Sequence, residues 1–321
     1  MKVVVTGAAG FIGSSTTDAL LASGHTVVGI DNFSTGSERF LERALADPGF
    51  ELVTLDLLEA GAALPELFRG AEAVIHLAAN ADVRFGWNTP DRDLKQNIVV
   101  THNVLEGVRI AGVPRLLFSS TGSVYGEATV IPTPEDCPFP VQTSLYGASK
   151  LAGEGLIAAY AEGCGIATTV FRFVSIMGAR YTHGHVVDFM RQLRQDPGRL
   201  TILGDGKQRK SYLDVTDCVA AILDRLPRTG GHEVYNLGVE DYCTVDQSAG
   251  WICERLGLDP DVTYTGGDRG WIGDNPFIYL ATAKVRATGW EPAYTIRQAV
   301  ERTVDYLADN PWILTRQEVR T

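Results

Sequence analysis

Val3-Val4-Val5-Thr6-Gly7-Ala8-Ala9-Gly10-Phe11-Ile12-Gly13 is the stretch that decides the fold. Its β-branched opening, entered directly from Met1-Lys2, reads as a buried first strand. Gly7, Gly10 and Gly13 then recur at every third position, and a helical pattern runs from Gly13 to Ser23. Glycines between a strand and a helix permit a tight turn and let backbone approach a pyrophosphate, which the helix N-terminus attracts. The spacing is Gly-x-x-Gly-x-x-Gly rather than Gly-x-Gly-x-x-Gly. In a chain with 34 glycines a purely structural turn is the competing reading.

Outward from this stretch, apolar β-rich runs alternate with helical patterns. Thr26–Ile30, Glu51–Leu55, Ala73–Leu77, Arg115–Ser119 and Ala167–Phe173 read as further strands, with Asp93–Gly112 and Tyr146–Cys164 as helices. Nearly continuous apolar strands between helices predict a parallel sheet covered on both faces, joined by right-handed crossovers. The fold class is therefore α/β, a Rossmann-type doubly wound sheet with a smaller α/β substrate-binding lobe. Past Arg172 the pattern breaks up, with Glu233–Leu237 as a late buried strand and helices at Val245–Leu256 and Ile296–Leu307. The expected division is a dinucleotide-binding domain over residues 1–172, completed by about 212–240, and a lobe from 173–211 and 241–321.

Bulk properties narrow the function. Lys and Arg number 28 against 39 Asp and Glu, a net charge of −11, which argues against general binding to nucleic acid or anionic membranes. The sequence carries no apolar run of transmembrane length and no signal-peptide pattern, so a cytoplasmic protein is expected. Five scattered cysteines lack any Cys-x-x-Cys pair, and His183 and His185 lack a third ligand, so no metal site is expected.

Two clusters point to chemistry. Asp31-Asn32 ends the second strand, where a carboxylate accepts hydrogen bonds from an adenosine ribose and repels the 2′-phosphate of NADP, so NAD is the expected cofactor. Capping the next helix is the plainer role for Asp31. Asp56-Leu57 and Leu77-Ala78-Ala79 follow the third and fourth strands and fit the same site. Farther on, Tyr146 and Lys150 stand four apart and so share a helix face. A cation beside a phenol stabilises tyrosinate, and Thr121 upstream supplies a hydroxyl for the same substrate oxygen. An ordinary amphipathic helix is the alternative for an isolated pair of this kind.

Taken together, Thr6–Gly13, Asp31–Gly36, His76–Ala79, Thr121–Gly126, Tyr146–Lys150, Gly204–Gln208 and Trp290-x-Pro292 span essentially the whole chain. On these motifs the chain resembles the extended short-chain dehydrogenase/reductase family, specifically its NAD-dependent nucleotide-sugar epimerases and dehydratases. The resemblance implies that NAD is held by Gly7, Gly10, Phe11, Ile12 and Gly13, by Asp31, Asn32, Ser34, Thr35 and Gly36, and by Asp56, Leu57, Leu77, Ala78 and Ala79. Ser119, Tyr146, Lys150 and Phe173 complete that set. It also implies Tyr146 as catalytic base, Lys150 as its partner on the nicotinamide ribose, and Thr121 as the hydroxyl that holds the reacting sugar. A homodimer would form through helices 93–112 and 146–164 as a four-helix bundle.

Departures from the family pattern shape the substrate expectation. Dehydratases of the family place an Asp-Glu pair after the threonine, whereas Gly122 and Ser123 stand here, which favours an epimerase. The resulting expectation is a UDP-sugar 4-epimerase acting on UDP-glucose and UDP-galactose. Ser175 replaces a usual asparagine and Met177 a usual tyrosine, and a small hydroxyl at 175 brings UDP-glucuronate forward as the rival substrate. Lys210 replaces an arginine at the diphosphate position, with Arg209 beside it, while Arg269 resembles a late phosphate-binding arginine. Arg84 follows the fourth-strand loop and joins the substrate set with Thr121, Gly122, Ser123, Ser175, Lys210 and Arg269. A dehydratase, a decarboxylase and a catalytically silent NAD-binding regulator are the remaining alternatives.

Overall fold

The computed structural model describes residues 1–81, 86, 88–138, 141–270, 275 and 277–316. Arg84 lies outside these described residues. The chain begins β1 (Lys2–Thr6), α1 (Phe11–Ala22), β2 (Thr26–Asp31), α2 (Glu42–Leu45), β3 (Phe50–Thr54), α3 (Leu64–Leu67) and β4 (Ala73–His76). It continues with α4 (Pro90–Asp93), a π-helical turn at Leu94–Val99, α5 (Val100–Ala111), β5 (Arg115–Thr121), α6 (Leu145–Cys164) and β6 (Ala167–Phe173). Next come β7 (Ser175–Met177), α7 (His185–Gln195), β8 (Arg199–Ile202), β9 (Arg209–Lys210), β10 (Tyr212–Asp214), α8 (Val215–Arg225) and β11 (His232–Leu237). The rest is β12 (Cys243–Thr244), α9 (Val245–Leu256), β13 (Asp261–Tyr264), β14 (Phe277–Ile278), α10 (Ala283–Arg286), α11 (Ile296–Asp309) and α12 (Trp312–Thr315).

Two compact units emerge: residues 1–124, 144–172 and 219–235 form the first, and 125–143, 173–218 and 236–321 the second. The large sheet has seven strands in the order β11-β6-β5-β4-β1-β2-β3. Strand order reverses at β1, with β2 and β3 to one side and β4, β5 and β6 to the other, which opens a crevice at the carboxyl ends of β1 and β4. Register sets those ends level, since Thr6 lies opposite both Ile30 and His76, and His76 opposite Phe118. The loops carrying Gly7 and Leu77 and the Ser119–Thr121 end of β5 therefore lie along one edge of the sheet.

The strands form because their β-branched residues are buried on both faces: Val3, Val4, Val5, Val74 and Ile75 are fully enclosed. Phe68, Leu64, Leu105 and Phe118 fill the space between sheet and helices, each contributing about 1.5–3 kcal/mol by burial. Gly153 lets α6 lie flat on the sheet, because a Cβ there would sit 3.3 Å from the Phe118 ring. The helix expected over 93–112 is helical from Pro90 to Ala111 but contains the π-helical turn, a distortion that often accompanies functional sites. In the second unit, capping boxes start α9 (Thr244 with Gln247) and α11 (Thr295 with Gln298). The buried Asp217 carboxylate accepts from the amides of Ala293 and Tyr294, and its carbonyl from the Trp290 indole at 3.1 Å, anchoring the Trp290-x-Pro292 segment.

Among the described residues, no helix is long and apolar enough to cross a membrane.

Candidate active site

The glycine turn is built as the spacing predicts. Gly7 takes φ +71°, and a Cβ on it would meet the Ala78 amide nitrogen at 2.8 Å, so the loops after β1 and β4 pass in backbone contact. A Cβ on Gly13 would fall 1.9 Å from the Gly7 carbonyl oxygen, so the first turn of α1 lies directly on the loop. Gly10 is the N-cap of α1 and offers no side-chain oxygen to its amides, which leaves the positive end of the helix for an anion.

Thr6 and His76 tie the two loops together. The Thr6 hydroxyl bonds His76 Nδ1 at 2.7 Å and accepts the amides of Leu77 at 3.2 Å and Ala78 at 3.3 Å. Thr101, whose hydroxyl donates to the Asn97 carbonyl, lies 3.1 Å from His76 Nε2, which assigns the imidazole proton to Nε2. Burial pushes the His76 pKa down to about 3, so the ring is neutral.

Asp31 closes the cradle from the far side. One carboxylate oxygen accepts the Ala9 amide at 2.9 Å and the other the Phe33 amide at 2.8 Å, with Phe33 at φ +57°. Burial raises the Asp31 pKa, while the amides of Phe33, Ala9 and Asn32 oppose that rise. A carboxylate offers about four acceptor sites, so these two bonds do not exhaust it. The Asn32 side-chain Nδ2 donates to Asp56 at 3.1 Å, and Asp56 also accepts the Leu58 backbone amide at 2.9 Å, which places these two expected residues together.

Tyr146 and Lys150 do share the face of α6 that meets β5. Ser144 caps the helix by accepting the Gly147 amide at 3.0 Å. The Thr121 hydroxyl hydrogen-bonds the Tyr146 phenol, and it also accepts the Ser123 amide at 3.1 Å. Burial pushes the phenol up to about 12, Thr121 opposing and the charge of Asp93 adding to the rise. Lys150 donates to the Ser119 carbonyl at 2.8 Å and lies 4.6 Å above the Phe118 ring. Burial pushes its pKa down to about 7, against the fields of Glu154 and Asp93. Gly122 and Ser123 occupy a 3-10 turn directly after Thr121.

Residues outside the expected set complete this architecture. Asn97, in the π-helical turn, donates to Asp93 at 3.2 Å, the Ser149 hydroxyl at 2.9 Å and the Asn80 carbonyl at 3.2 Å. This buried polar knot braces α6 beside Tyr146. Its sequence signal is thin: Asp93 and Asn97 stand four apart, but nothing local links them to Ser149.

The second unit carries the remaining expected residues. Phe173 is buried, and Ser175 is exposed at the start of β7, paired with Tyr212 of β10. Lys210 Nζ donates to the Asn275 carbonyl, and the Asn275 amide donates to the Gly126 carbonyl. Arg209 lies 3.8 Å above the Phe277 ring. Arg269 pairs with Glu127 at 2.6 Å, so a phosphate there would compete with a carboxylate. His185 Nε2 bonds Ser248 Oγ at 2.8 Å and His183 stacks on Tyr181, giving both histidines roles within the protein. Among the described residues, no group of three or more His, Cys, Asp and Glu is arranged to hold a metal ion.

A doubly wound sheet with a glycine turn, a buried acid after β2 and a Tyr–Lys helix at one edge defines a dinucleotide-dependent α/β enzyme. The chain belongs to the NAD dependent epimerase/dehydratase family, which it matches over residues 3–238. It is 33% identical to the UDP-glucose 4-epimerase of Mycolicibacterium smegmatis over 314 residues, 95% of this chain and 98% of the relative. Among solved structures it resembles a UDP-galactose 4-epimerase with TM-score 0.86 and 37% identity, covering 97% of this chain and all of that one. It also resembles UDP-glucuronic acid 4-epimerase from Bacillus cereus in complex with UDP-glucuronic acid and NAD. That likeness has TM-score 0.88 and 27% identity over 97% of this chain and 100% of the other. The chain is thus a NAD-dependent enzyme of the nucleotide-sugar epimerase family.

Proposed function

We propose that this protein is a UDP-sugar 4-epimerase that interconverts UDP-glucose and UDP-galactose through a transient 4-keto sugar. The observation that carries the reading is the trio of Thr121, Tyr146 and Lys150 on one edge, followed by Gly122 and Ser123 instead of acids. Thr121 orients the sugar C4 hydroxyl, and Tyr146 takes its proton and later returns it to the opposite epimer. Lys150 sets its ammonium toward the cofactor ribose and favours tyrosinate. NAD, when bound, would supply a hydride acceptor that is regenerated within the same cycle. Gly122 and Ser123 have no group for acid–base work at neutral pH, so the keto sugar is not driven to lose water.

Purified protein incubated with UDP-glucose, UDP-galactose and UDP-glucuronate separately is expected to convert each neutral hexose into the other, read by chromatography of the products. Failure to convert either hexose would overturn the substrate assignment. Ser175 supports the second reading, UDP-glucuronate 4-epimerisation, because a small exposed hydroxyl leaves room for a carboxylate at sugar C5. Conversion of UDP-glucuronate alone would establish it. A homodimer fits the exposed apolar side chains Leu94, Val99 and Ile110 along the π-helical turn and α5.

The cradle residues would hold the cofactor: the α1 amides at its pyrophosphate, Asp31 at the adenosine ribose and Lys150 at the nicotinamide ribose. Asp31→Asn removes a charge and turns one acceptor into a donor facing the Ala9 or Phe33 amide. NAD affinity is expected to fall by about 10- to 100-fold, roughly 1.4–2.8 kcal/mol. Preference over NADP should narrow as well, since the repulsion of a 2′-phosphate is gone. Calorimetric titration with both nucleotides checks this, and an unchanged NAD affinity would remove Asp31 from the ribose site.

A further inference from the structure

Glu154 stands one helical turn beyond Lys150 and two beyond Tyr146, on the α6 face that meets β5. It is buried, with 6% of its surface exposed. Ser120 Oγ donates to Glu154 Oε1. Arg172, on β6, donates from Nη2 to Oε2 at 2.7 Å and from Nε to both carboxylate oxygens at 3.1 and 3.2 Å. Three consecutive β5 residues thereby grip three successive turns of one helix: Thr121 meets Tyr146, Ser119 meets Lys150, and Ser120 meets Glu154. Burying an ion pair brings little net stability compared with apolar residues of the same volume, so a stability role alone is a weak account of this cluster.

We propose that Glu154 is a positioning residue for the catalytic pair: clamped by Ser120 and Arg172, its carboxylate is the counter-charge that preserves the Lys150 ammonium and holds α6 in register with β5. This rests on the reading of Tyr146 and Lys150 as the pair that handles the proton. The groups facing Lys150 are Glu154 on α6, Asp93 at the end of α4, neutral His76 on β4 and the Phe118 ring on β5, with Tyr146 one helical turn before it on α6. Burial works against the ammonium, and Glu154 is the foremost of the charges that oppose that effect, ahead of Asp93.

The test follows the Lys150 signal by NMR in protein carrying 13C-labelled lysine, with Lys150→Met providing the assignment. Glu154→Gln is expected to lower the Lys150 titration midpoint by about one to two pH units. Glu154→Asp, which keeps the charge, should move it less. The alkaline limb of the kcat profile should shift to lower pH in step, because activity is lost as Lys150 deprotonates. Should the single variant fail to fold, Glu154→Gln combined with Arg172→Met removes the guanidinium that the single variant would strand and is expected to lower the midpoint in the same direction but by less, because losing the Arg172 cation acts the other way. A lowered melting temperature with an unmoved midpoint would assign Glu154 a structural role and overturn the proposal. The titration needs neither sugar nor turnover, so its failure is distinct from failure of the epimerase reading, which Tyr146→Phe tests separately.

Discussion

Replacing Tyr146 by phenylalanine is expected to cut turnover by about 100- to 10,000-fold while leaving NAD binding intact. The substitution keeps the aromatic ring on α6 and removes only the hydroxyl, so Thr121 loses its phenolic partner and the sugar hydroxyl loses its base. That rate loss corresponds to about 3–5 kcal/mol of transition-state stabilisation, within the usual contribution of one general acid–base group. Lys150 keeps its bond to the Ser119 carbonyl, which depends on β5 rather than on the phenol, so the ribose contact should survive. Steady-state assay with UDP-galactose reads the first effect, and NAD titration with a thermal melt reads the second. Undiminished turnover would remove Tyr146 from the mechanism. Loss of NAD binding together with activity would instead point to collapse of the α6 face.

Gly13→Ala is expected to damage cofactor binding and stability together. Its Cβ would stand 1.9 Å from the Gly7 carbonyl oxygen and 2.7 Å from the Gly7 carbonyl carbon, both backbone atoms with no rotamer to yield. The first turn of α1 would have to lift from the loop, at a cost of about 1–3 kcal/mol or more. Lifting it also misdirects the amides that would meet the pyrophosphate, so NAD affinity should fall by at least about 100-fold. Gly10→Ala separates the two effects. Among the described residues beyond its chain neighbours, its Cβ would meet the Gly7 oxygen alone within 4 Å, at 3.2 Å, so the fold should tolerate it while the methyl group crowds a bound nucleotide. A thermal melt and an NAD titration on both variants check the contrast. A Gly13→Ala protein with wild-type stability and affinity would overturn this account of the turn.

Much of this site could be read locally. Gly7, Gly10 and Gly13 follow a strand at fixed spacing, Asp31 ends the next strand, and Tyr146 and Lys150 are four apart, so each cluster is confined to a few neighbouring residues. The register of the sheet brings the ends of β1, β4 and β5 level, so these clusters lie along one edge. Other features had no such signal. In sequence His76 is only the first residue of the His76–Ala79 motif, yet its neutral ring, set between Thr6 and Thr101, is what joins two loops. Asn97 could not be linked to Ser149 across 52 positions of sequence.

The substrate side was the least legible. Lys210 and Arg269 were expected near phosphates from motif position, but their partners, the Asn275 carbonyl and the Glu127 carboxylate, come from distant segments of the second unit. A cation in a motif specifies a charge and says nothing about which neighbour already holds it.

By itself the sequence determined the α/β class, the glycine cradle and the Tyr146–Lys150 spacing, because strand alternation and helical period are properties of adjacent residues. Only the tertiary structure decided how that pair is held. Ser120, Glu154 and Arg172 meet because β6 lies beside β5 and α6 packs against them, an arrangement set by strand order. No short-range pattern encodes that order, so the charge cluster behind the candidate catalytic lysine became visible only once the sheet was assembled.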